Sequence, residues 1–261
     1  MWAMAAAGFG AELELVEIPE PQAGPGELKV RLLAASVNPF DRKVVDGMLR
    51  SSAPHVFPLV PGTDGAGEVV GSGEKIFGTF FRRPVGGGTY AEYVTVPATN
   101  ALASLPEDVD PAVAAALPTA GMTALQLVEA LGPAESVLVV GASGGVGSFA
   151  TQIARAAGKR VIPIGRGDSL VEADALIDLV SADRSSFEAN ARYAPLALNT
   201  NYVSADPAQN FSMKGTKEAL ERLASMVQAG ELRVPIARRL PLRGAVDVFA
   251  GHGPGKTVII M

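Results

Sequence analysis

The stretch Glu135-Ser-Val-Leu-Val-Val-Gly-Ala-Ser-Gly-Gly-Val-Gly147 decides how this chain folds. Its first part, Ser136 to Val140, is a short apolar run of the kind that forms a buried strand. After a glycine-rich turn, the residues from Ser148 to Gly158 have the composition and spacing of a helix. The three small-residue positions of a dinucleotide-binding turn are held, in order, by Ala142, Gly144 and Gly147.

Small residues in this turn have a physical purpose. They allow a tight turn, let the backbone approach a pyrophosphate closely, and let the helix pack closely on the strand. The helix that follows presents free N–H groups and the positive end of its dipole to the phosphates. The sequence therefore predicts nucleotide binding by Ser143, Gly144, Gly145, Val146 and Gly147.

The same turn permits a second interpretation. Gly141 to Gly145 also satisfies G-x-S-x-G, the nucleophile elbow of serine hydrolases, which likewise lies between a strand and a helix. The triad would then be Ser143, Asp178 and His252 in the hydrolase order. A hydrolase does not need Gly147, and the residues before Glu135 do not resemble the α/β units that usually precede such an elbow. The hydrolase remains the alternative, with a cofactor-binding protein without turnover as the third.

Composition limits the classes of function. The 261 residues are enough for one or two domains, and 48% hydrophobic against 19% charged residues indicates a globular protein. A net charge of −5 disfavours nucleic-acid binding. The absence of cysteine excludes disulfides and cysteine-ligated zinc, and only His55 and His252 provide imidazoles. No secretory signal or membrane-spanning run is recognisable, so the expected compartment is the cytoplasm.

The pattern of elements changes near residue 110. Before it, short strand candidates separated by Pro/Gly-rich turns indicate a compact barrel. These candidates are Leu28–Leu33, Gly67–Gly71, Lys75–Phe81 and Tyr90–Val96. After it, helices and strands alternate, which predicts an α/β fold with a parallel, doubly wound sheet. The further strands are Val161–Gly165, Ala175–Val180, Leu196–Val203 and Lys256–Met261, and the helices are Asp110–Leu117, Ala120–Leu131 and Thr216–Ala229.

Four blocks of sequence resemble one enzyme superfamily. They are Ser36–Asp41 (S-V-N-P-F-D), Pro58–Gly73 (with P-G-T-D-G-A-G-E-V), Leu117–Ala124 (L-P-T-A-G-M-T-A) and the glycine turn, supported by Gly255–Val258. In this order they are similar to the medium-chain dehydrogenase/reductase superfamily, and most similar to its zinc-independent quinone oxidoreductase-like branch. The resemblance implies a GroES-like β-barrel domain over 1–116 and 232–261, with a Rossmann NADP-binding domain over 117–231.

The resemblance also implies a reaction. Zinc-dependent members carry a cysteine where this chain has Val37-Asn38, and a His-Glu pair where it has Thr63-Asp64, so no metal is expected. What remains is hydride transfer from NADPH to a small quinone or α,β-unsaturated carbonyl. Members of the family are usually homodimers, and no membrane or nucleic-acid partner is expected.

Several residues outside the glycine turn are implied as site residues. Asn38 and Thr123 would contact the nicotinamide end and act nearest the chemistry, while the cofactor-binding set would also include Val180, Tyr202, Phe211 and Lys256. Other interpretations stay open: Asn38-Pro39 as a simple turn, Thr123 as a hydroxyl bonded to its own helix, and the two aromatic residues as packing.

The adenosine end depends on Arg166. It follows the second expected strand, where a basic residue favours NADPH, although Asp168 lies two positions on. The interval from Gly141 to Ala175 is too short for the usual third strand and its helices, because a parallel crossover takes about a dozen residues. One strand–helix unit is therefore expected to be absent. The chain is either a compact natural or engineered variant, or it lacks segments between these blocks.

Overall fold

The computed structural model describes residues 1–200, 211–250 and 253–261, and these residues form three sheets and six α-helices. The strands are β1 (Trp2–Ala6), β2 (Leu13–Glu17), β3 (Glu27–Ser36), β4 (His55–Val60), β5 (Asp64–Val69), β6 (Lys75–Thr79), β7 (Val85–Gly87), β8 (Tyr93–Pro97), β9 (Leu102–Ser104), β10 (Ser136–Val140), β11 (Arg160–Ile164), β12 (Ala175–Asp178), β13 (Leu196–Asn199), β14 (Ile236–Pro241) and β15 (Lys256–Ile260). The helices are α1 (Pro39–Val45), α2 (Pro111–Ala115), α3 (Pro118–Ala130), α4 (Gly145–Ala156), α5 (Arg184–Ala191) and α6 (Lys217–Gln228), with a 3-10 helix at Leu242–Asp247.

The first and last parts of the chain build the barrel together. A four-stranded sheet has the order β2-β1-β4-β7, and a seven-stranded sheet has the order β14-β15-β3-β5-β6-β9 with β8 also on β3. The tail strand β15 runs antiparallel to β3, with Val258 opposite Ser36. The expected GroES-like barrel is confirmed. The sequence analysis missed several short or edge strands, namely β1, β2, β4, β7, β9 and β14.

The expected parallel sheet is also confirmed, with four strands in the order β11-β10-β12-β13. Some predicted bounds were wrong. β12 ends at Asp178 because the carboxylate of Asp178 accepts the N–H groups of Val180 and Ser181, and this turns the chain out of the sheet. Val180 is therefore in the following loop. α4 begins at Gly145 instead of Ser148, so the turn itself provides the first helical residues. α5 was not predicted.

The predicted loss of one strand–helix unit is confirmed by the strand order. In the usual doubly wound order, 3-2-1-4-5-6, the third strand lies beyond the second. Here β11 corresponds to the second strand and forms the edge of the sheet among the described residues. Residues 165–174 then lead back to β12 on the other side of β10 without a helix. Pro163 lies within the edge strand β11, as its missing N–H group requires.

One hydrophobic core joins the barrel to the parallel sheet. It contains residues from both parts, including Phe77 of β6, Leu117 before α3, Val139 of β10 and Phe149 of α4. α3, α4 and α6 contribute to this core. The opposite face of the sheet has a smaller cluster around Phe187 of α5, on which the crossover residues Leu170 and Ala173 pack. The cleft described next lies where the shared core meets the carboxyl ends of the parallel strands.

Candidate cofactor site

The glycine turn has the geometry that close phosphate approach requires. Gly141 adopts a φ of +83°, which glycine tolerates without steric cost. A Cβ on Gly147 would lie 2.2 Å from the carbonyl oxygen of Gly141, so only glycine lets α4 approach the turn this closely. Gly144 is the N-cap of α4 and has no side chain to cap the first N–H groups. These groups are therefore available to a ligand, and the turn fits a pyrophosphate.

A cleft of about 510 Å³ opens beside this turn. Its walls come from the turn, from the start of α1 and from the tail around β15. Eight of the predicted site residues line it together: Asn38, Ser143, Gly144, Gly145, Val146, Gly147, Val180 and Lys256. The fold thus brings to one cleft residues that are more than two hundred positions apart in the chain.

Asn38 is held at both ends of its side-chain amide. Its Nδ2 donates to Oδ2 of Asp64 over 2.9 Å, and its Oδ1 accepts from Nζ of Lys256 over 2.7 Å. Lys256 also donates to the carbonyl oxygen of Val37 over 3.2 Å. Asp64 in turn accepts from both the backbone N–H and the hydroxyl of Thr119, at 2.9 and 2.7 Å. The barrel, the first turn of α3 and the tail are thus connected under the cleft.

A second carboxylate lies on the barrel side of Asn38. Oδ2 of Asp41 accepts the backbone N–H of Asn38 over 2.8 Å and the hydroxyl of Tyr90 over 2.9 Å. Its Oδ1 accepts the hydroxyl of Thr63 over 3.1 Å. Asp41 therefore orients the loop that carries Asn38. We call the seven residues Asn38, Asp41, Thr63, Asp64, Tyr90, Thr119 and Lys256 the buried network.

Burial dominates the electrostatics of the buried network. It raises the pKa of Asp41 to about 7 and raises the pKa of Asp64, because the charged form loses solvation. Burial also lowers the pKa of Lys256, an effect that the neighbouring charges of Asp64 and Asp41 oppose. Lys256 thus lies near two carboxyl groups, and burial favours the protonated form of each carboxyl group.

Three predicted residues lie outside the cleft lining. The hydroxyl of Thr123 donates to the carbonyl oxygen of Thr119 over 2.6 Å, one turn back on α3. This is the bond within its own helix that the sequence left open as an alternative. Phe211 packs against the shared hydrophobic core. Arg166 is exposed in the turn after β11. Tyr202 falls outside the described residues.

The geometry does not favour the serine hydrolase. Asp178 uses its carboxylate locally, accepting from Val180 N, Ser181 N and Oγ, and Asn190 Nδ2. No non-glycine residue in the described part of the chain has a positive φ, so Ser143 lacks the strained backbone of a nucleophile elbow. His252 lies outside the described residues. The triad therefore has no structural support.

Sequence reasoning missed part of the site. Asp64, Thr119 and Tyr90 were not identified as members of one network. Arg42 and Phe249, which line the cleft, were not predicted as site residues. A signal for Asp64 was an acidic residue directly before the three small residues Gly65 to Gly67 of β5. Partners separated by 26 to 218 positions cannot be paired from spacing alone.

The resemblance implied metal ligands of zinc-dependent members at Val37-Asn38 and at Thr63-Asp64, and here a hydrogen bond joins Asn38 to Asp64. Over residues 1–200, 211–250 and 253–261, no group of three or more His, Cys, Asp or Glu side chains is arranged to hold a metal. Within the same ranges, no helix has both the length and the apolar character needed to cross a membrane.

Comparison with known proteins supports an oxidoreductase. Residues 24–107 match the alcohol dehydrogenase GroES-like domain. The chain is 31% identical over 313 aligned positions to a chloroplast envelope quinone oxidoreductase homolog of Arabidopsis thaliana, covering 97% of this chain and 95% of that protein. It is 27% identical to the 2-methylene-furan-3-one reductase of Solanum lycopersicum, covering 92% of this chain and 73% of that protein. Because 313 positions exceed the length of this chain, the chain lacks segments that the Arabidopsis protein has.

Solved structures agree with these relatives. The quinone oxidoreductase from Coxiella burnetii superposes with a TM-score of 0.83 at 26% identity, covering 100% of this chain and 99% of that one. A mycobacterial protein complexed with NADPH superposes with a TM-score of 0.81 at 22% identity and full coverage of both chains, which supports the fold. The chain therefore belongs to the medium-chain dehydrogenase/reductase superfamily, in its quinone oxidoreductase-like branch.

Proposed function

We propose that this protein is an NADPH-dependent oxidoreductase that passes a hydride to a quinone or an α,β-unsaturated carbonyl without a metal. The observation that carries the proposal is the cleft itself. It has a volume of about 510 Å³ and is lined by the glycine turn together with Asn38 and Lys256. The names of the Arabidopsis and tomato relatives, a quinone oxidoreductase homolog and an enone reductase, support the two acceptor classes.

The chain's residues have separable tasks in this proposal. The uncapped N–H groups at the start of α4 bind the pyrophosphate, and Lys256 adds a positive charge beside them. The side chain of Lys256 lies directly against Gly145, because a Cβ there would approach its Cδ to 2.9 Å. When bound, the reduced nicotinamide supplies the hydride, so the protein itself needs no redox-active group.

Asn38 and Lys256 are the proposed polar contacts for the reacting end. Each keeps at least one N–H beyond those used within the network, since an amide has two such hydrogens and an ammonium has three. A donor held by buried partners is preorganised for the negative charge that develops on a carbonyl oxygen. Thr123 is one turn from Ala120 in the cleft wall, and its hydroxyl oxygen remains an acceptor for a cofactor hydroxyl.

The preference for NADPH is proposed from Arg166. It follows β11, where a basic side chain favours a ribose 2′-phosphate. The mycobacterial structural neighbour is complexed with NADPH, and this is consistent with the cofactor proposed for this protein. Tyr202 and Phe211 remain proposals for the cofactor contacts contributed by the segment after β13. The proposed assembly is a homodimer, which size-exclusion chromatography with light scattering would test.

The test combines binding with turnover. Calorimetric titration with NADPH and NADH is followed by assays of reduced-nicotinamide absorbance with a naphthoquinone and with a simple enone. We expect binding of NADPH and its oxidation with at least one acceptor class. Transfer of deuterium from stereospecifically labelled NADPH to the enone product would establish direct hydride transfer.

Two other results would change the conclusion. Binding of NADPH without oxidation by any acceptor would indicate a cofactor-binding protein without turnover. Absence of NADPH and NADH binding, together with labelling of Ser143 by a fluorophosphonate, would favour the hydrolase and exclude the proposal.

A further inference from the structure

The adenosine side of the cleft differs from a complete doubly wound sheet. The groove for the adenosine half of a dinucleotide lies at the carboxyl ends of the strands on the second-strand side. Among the described residues that side ends with β11, since they include no third strand beyond it. The turn after β11 and residues 165–174 all belong to the described part of the chain.

The residues that replace the missing unit build no wall. Gly165 to Ser169 are all exposed, and the next two outward-facing residues, Val171 and Glu172, are exposed as well. None of residues 165–174 lines the cleft. On this side the described lining ends at Gly141, directly after β10. An adenosine group would therefore lie on open surface and lose little contact with water.

The charges on this surface oppose each other. Oδ2 of Asp168 accepts the N–H of Gly165 over 2.8 Å, which holds a carboxylate at the carboxyl end of β11. A carboxylate at this point repels a 2′-phosphate, whereas the neighbouring Arg166 attracts it. Both side chains are exposed, so solvent screens each interaction. The preference for NADPH that Arg166 provides is therefore weak.

The nicotinamide side is buried and cross-linked by hydrogen bonds. Lys256 and Asn38 are buried and hydrogen-bonded to each other, and the N–H of Gly255 donates to the carbonyl oxygen of Ser143 over 3.0 Å. The tail and the glycine turn are thus fixed relative to each other. Contacts made on this side require little reorganisation and are formed away from bulk water.

We propose that this chain binds its cofactor almost entirely through the nicotinamide mononucleotide half, so that reduced nicotinamide mononucleotide binds nearly as tightly as NADPH. This inference rests on the proposed function and adds which half of the cofactor is recognised. The ring, its ribose and the adjoining phosphate meet the cleft and the start of α4, while the adenosine 2′-phosphate half adds little.

Isothermal titration calorimetry of the full chain tests the inference with four probes: NADPH, NADH, reduced nicotinamide mononucleotide and adenosine 2′,5′-bisphosphate. We expect the dissociation constant of the mononucleotide to lie within about tenfold of that of NADPH, which is about 1.4 kcal/mol. We also expect the bisphosphate not to displace NADPH. A mononucleotide more than about tenfold weaker than NADPH, or displacement by the bisphosphate, would overturn the inference.

The two proposals fail in different ways. Tight NADPH binding with poor mononucleotide binding refutes only this inference, whereas no binding of any nicotinamide ligand refutes both. Lys256→Met provides an internal comparison, because it should weaken NADPH, NADH and the mononucleotide by the same factor. A loss confined to the dinucleotides would contradict the inference. Melting temperatures of the variant with and without each ligand distinguish lost binding from lost folding.

Discussion

The two ends of the cleft show how differently one chain can form the halves of a site. At the nicotinamide end, three buried ionisable side chains and their hydroxyl and amide partners are hydrogen-bonded across the barrel, α3 and the tail. At the adenosine end, the exposed turn after β11 stands where a complete sheet continues to a further strand and helix. The comparison teaches that a doubly wound sheet can lose an outer unit and keep its glycine turn, because β10, α4, Ile164 of β11 and Gly255 of the tail still hold the turn.

The largest effect is expected from removing a carboxylate of the buried network. Asp64→Ala leaves Asn38 Nδ2 and both donors of Thr119 without an acceptor, and leaves Lys256 without its nearest opposing charge. Breaking a buried charge arrangement in this way should lower the free energy of unfolding by about 3–5 kcal/mol. Urea denaturation provides the measurement.

Asp168→Ala is the matched control at the other end of the cleft. Its carboxylate is exposed and accepts one backbone N–H, so the loss should stay below about 1 kcal/mol. Equal losses for the two variants would contradict the difference between the buried and the open end.

A slightly smaller effect is expected at the turn itself. Gly147→Val places a side chain whose Cβ lies 2.2 Å from the carbonyl oxygen of Gly141, so α4 must move away from the turn. We expect the dissociation constants of NADPH and NADH to rise by about a hundredfold or more, which corresponds to roughly 3 kcal/mol of lost contacts. Gly8→Ala is the control, because its Cβ would meet nothing within 4 Å. Unchanged calorimetric affinity in Gly147→Val would show that the phosphates bind elsewhere.

The third effect is a dependence of stability on pH. Burial raises the pKa of Asp41 to about 7, whereas an unfolded aspartate titrates near 4. Between these values the folded state holds a proton that the unfolded state has released. The stability contributed by this proton is therefore complete below about pH 4 and is lost as the pH rises to about 7, on the order of 1 kcal/mol per pH unit.

Asp41→Asn isolates this contribution, because Asp64 also has a raised pKa and acts in the same direction. The difference in unfolding free energy between the wild type and Asp41→Asn should change steadily as the pH increases from 4 to 7, with the wild type losing stability relative to the variant. Parallel curves for the two proteins would show that Asp41 is ionised throughout.

The smallest effect is expected at the open end. Arg166→Ala should raise the dissociation constant of NADPH by about threefold and leave that of NADH unchanged, because an exposed ion pair contributes less than about 1 kcal/mol. Asp168→Asn should have the opposite effect and lower the dissociation constant of NADPH relative to that of NADH. Titration of both cofactors on the two variants measures this. A change above tenfold at either residue would show that the adenosine end is a formed pocket.

The sequence was most informative where local chemistry decides the structure. The strand Ser136–Val140 was predicted with its observed bounds, and the shortage of residues between Gly141 and Ala175 correctly predicted a sheet without its third strand. The barrel strands that were missed are short, and several of them pair with partners far along the chain. β4, for example, pairs with β1 only between Leu59 and Ala6, and with β7 at His55 and Val60.

Eight of the predicted site residues do line the cleft, but their bonding could not be predicted from the sequence. Asn38 and Lys256 were both expected near the cofactor, yet nothing in their sequence neighbourhoods indicates that they contact each other. The side chain of Thr123 bonds within α3, which neither its position in a motif nor its residue type decides. Hydrogen bonds between distant segments depend on how the core packs, because this packing brings together residues that are far apart in the sequence.

The proline of the edge strand has a consequence for behaviour at high concentration. Gly141 donates to the carbonyl oxygen of Ile164, so the polar backbone groups of Ile164 face β10, and those of Pro163 face outward. The loss of the third strand exposes this edge, and an exposed edge invites pairing with other polypeptides. Another strand approaching this edge would meet the ring of Pro163 at a position where pairing requires an N–H donor. Pro163 thus disfavours the pairing of β11 with strands of other molecules. Pro163→Val should therefore make the protein more prone to aggregate.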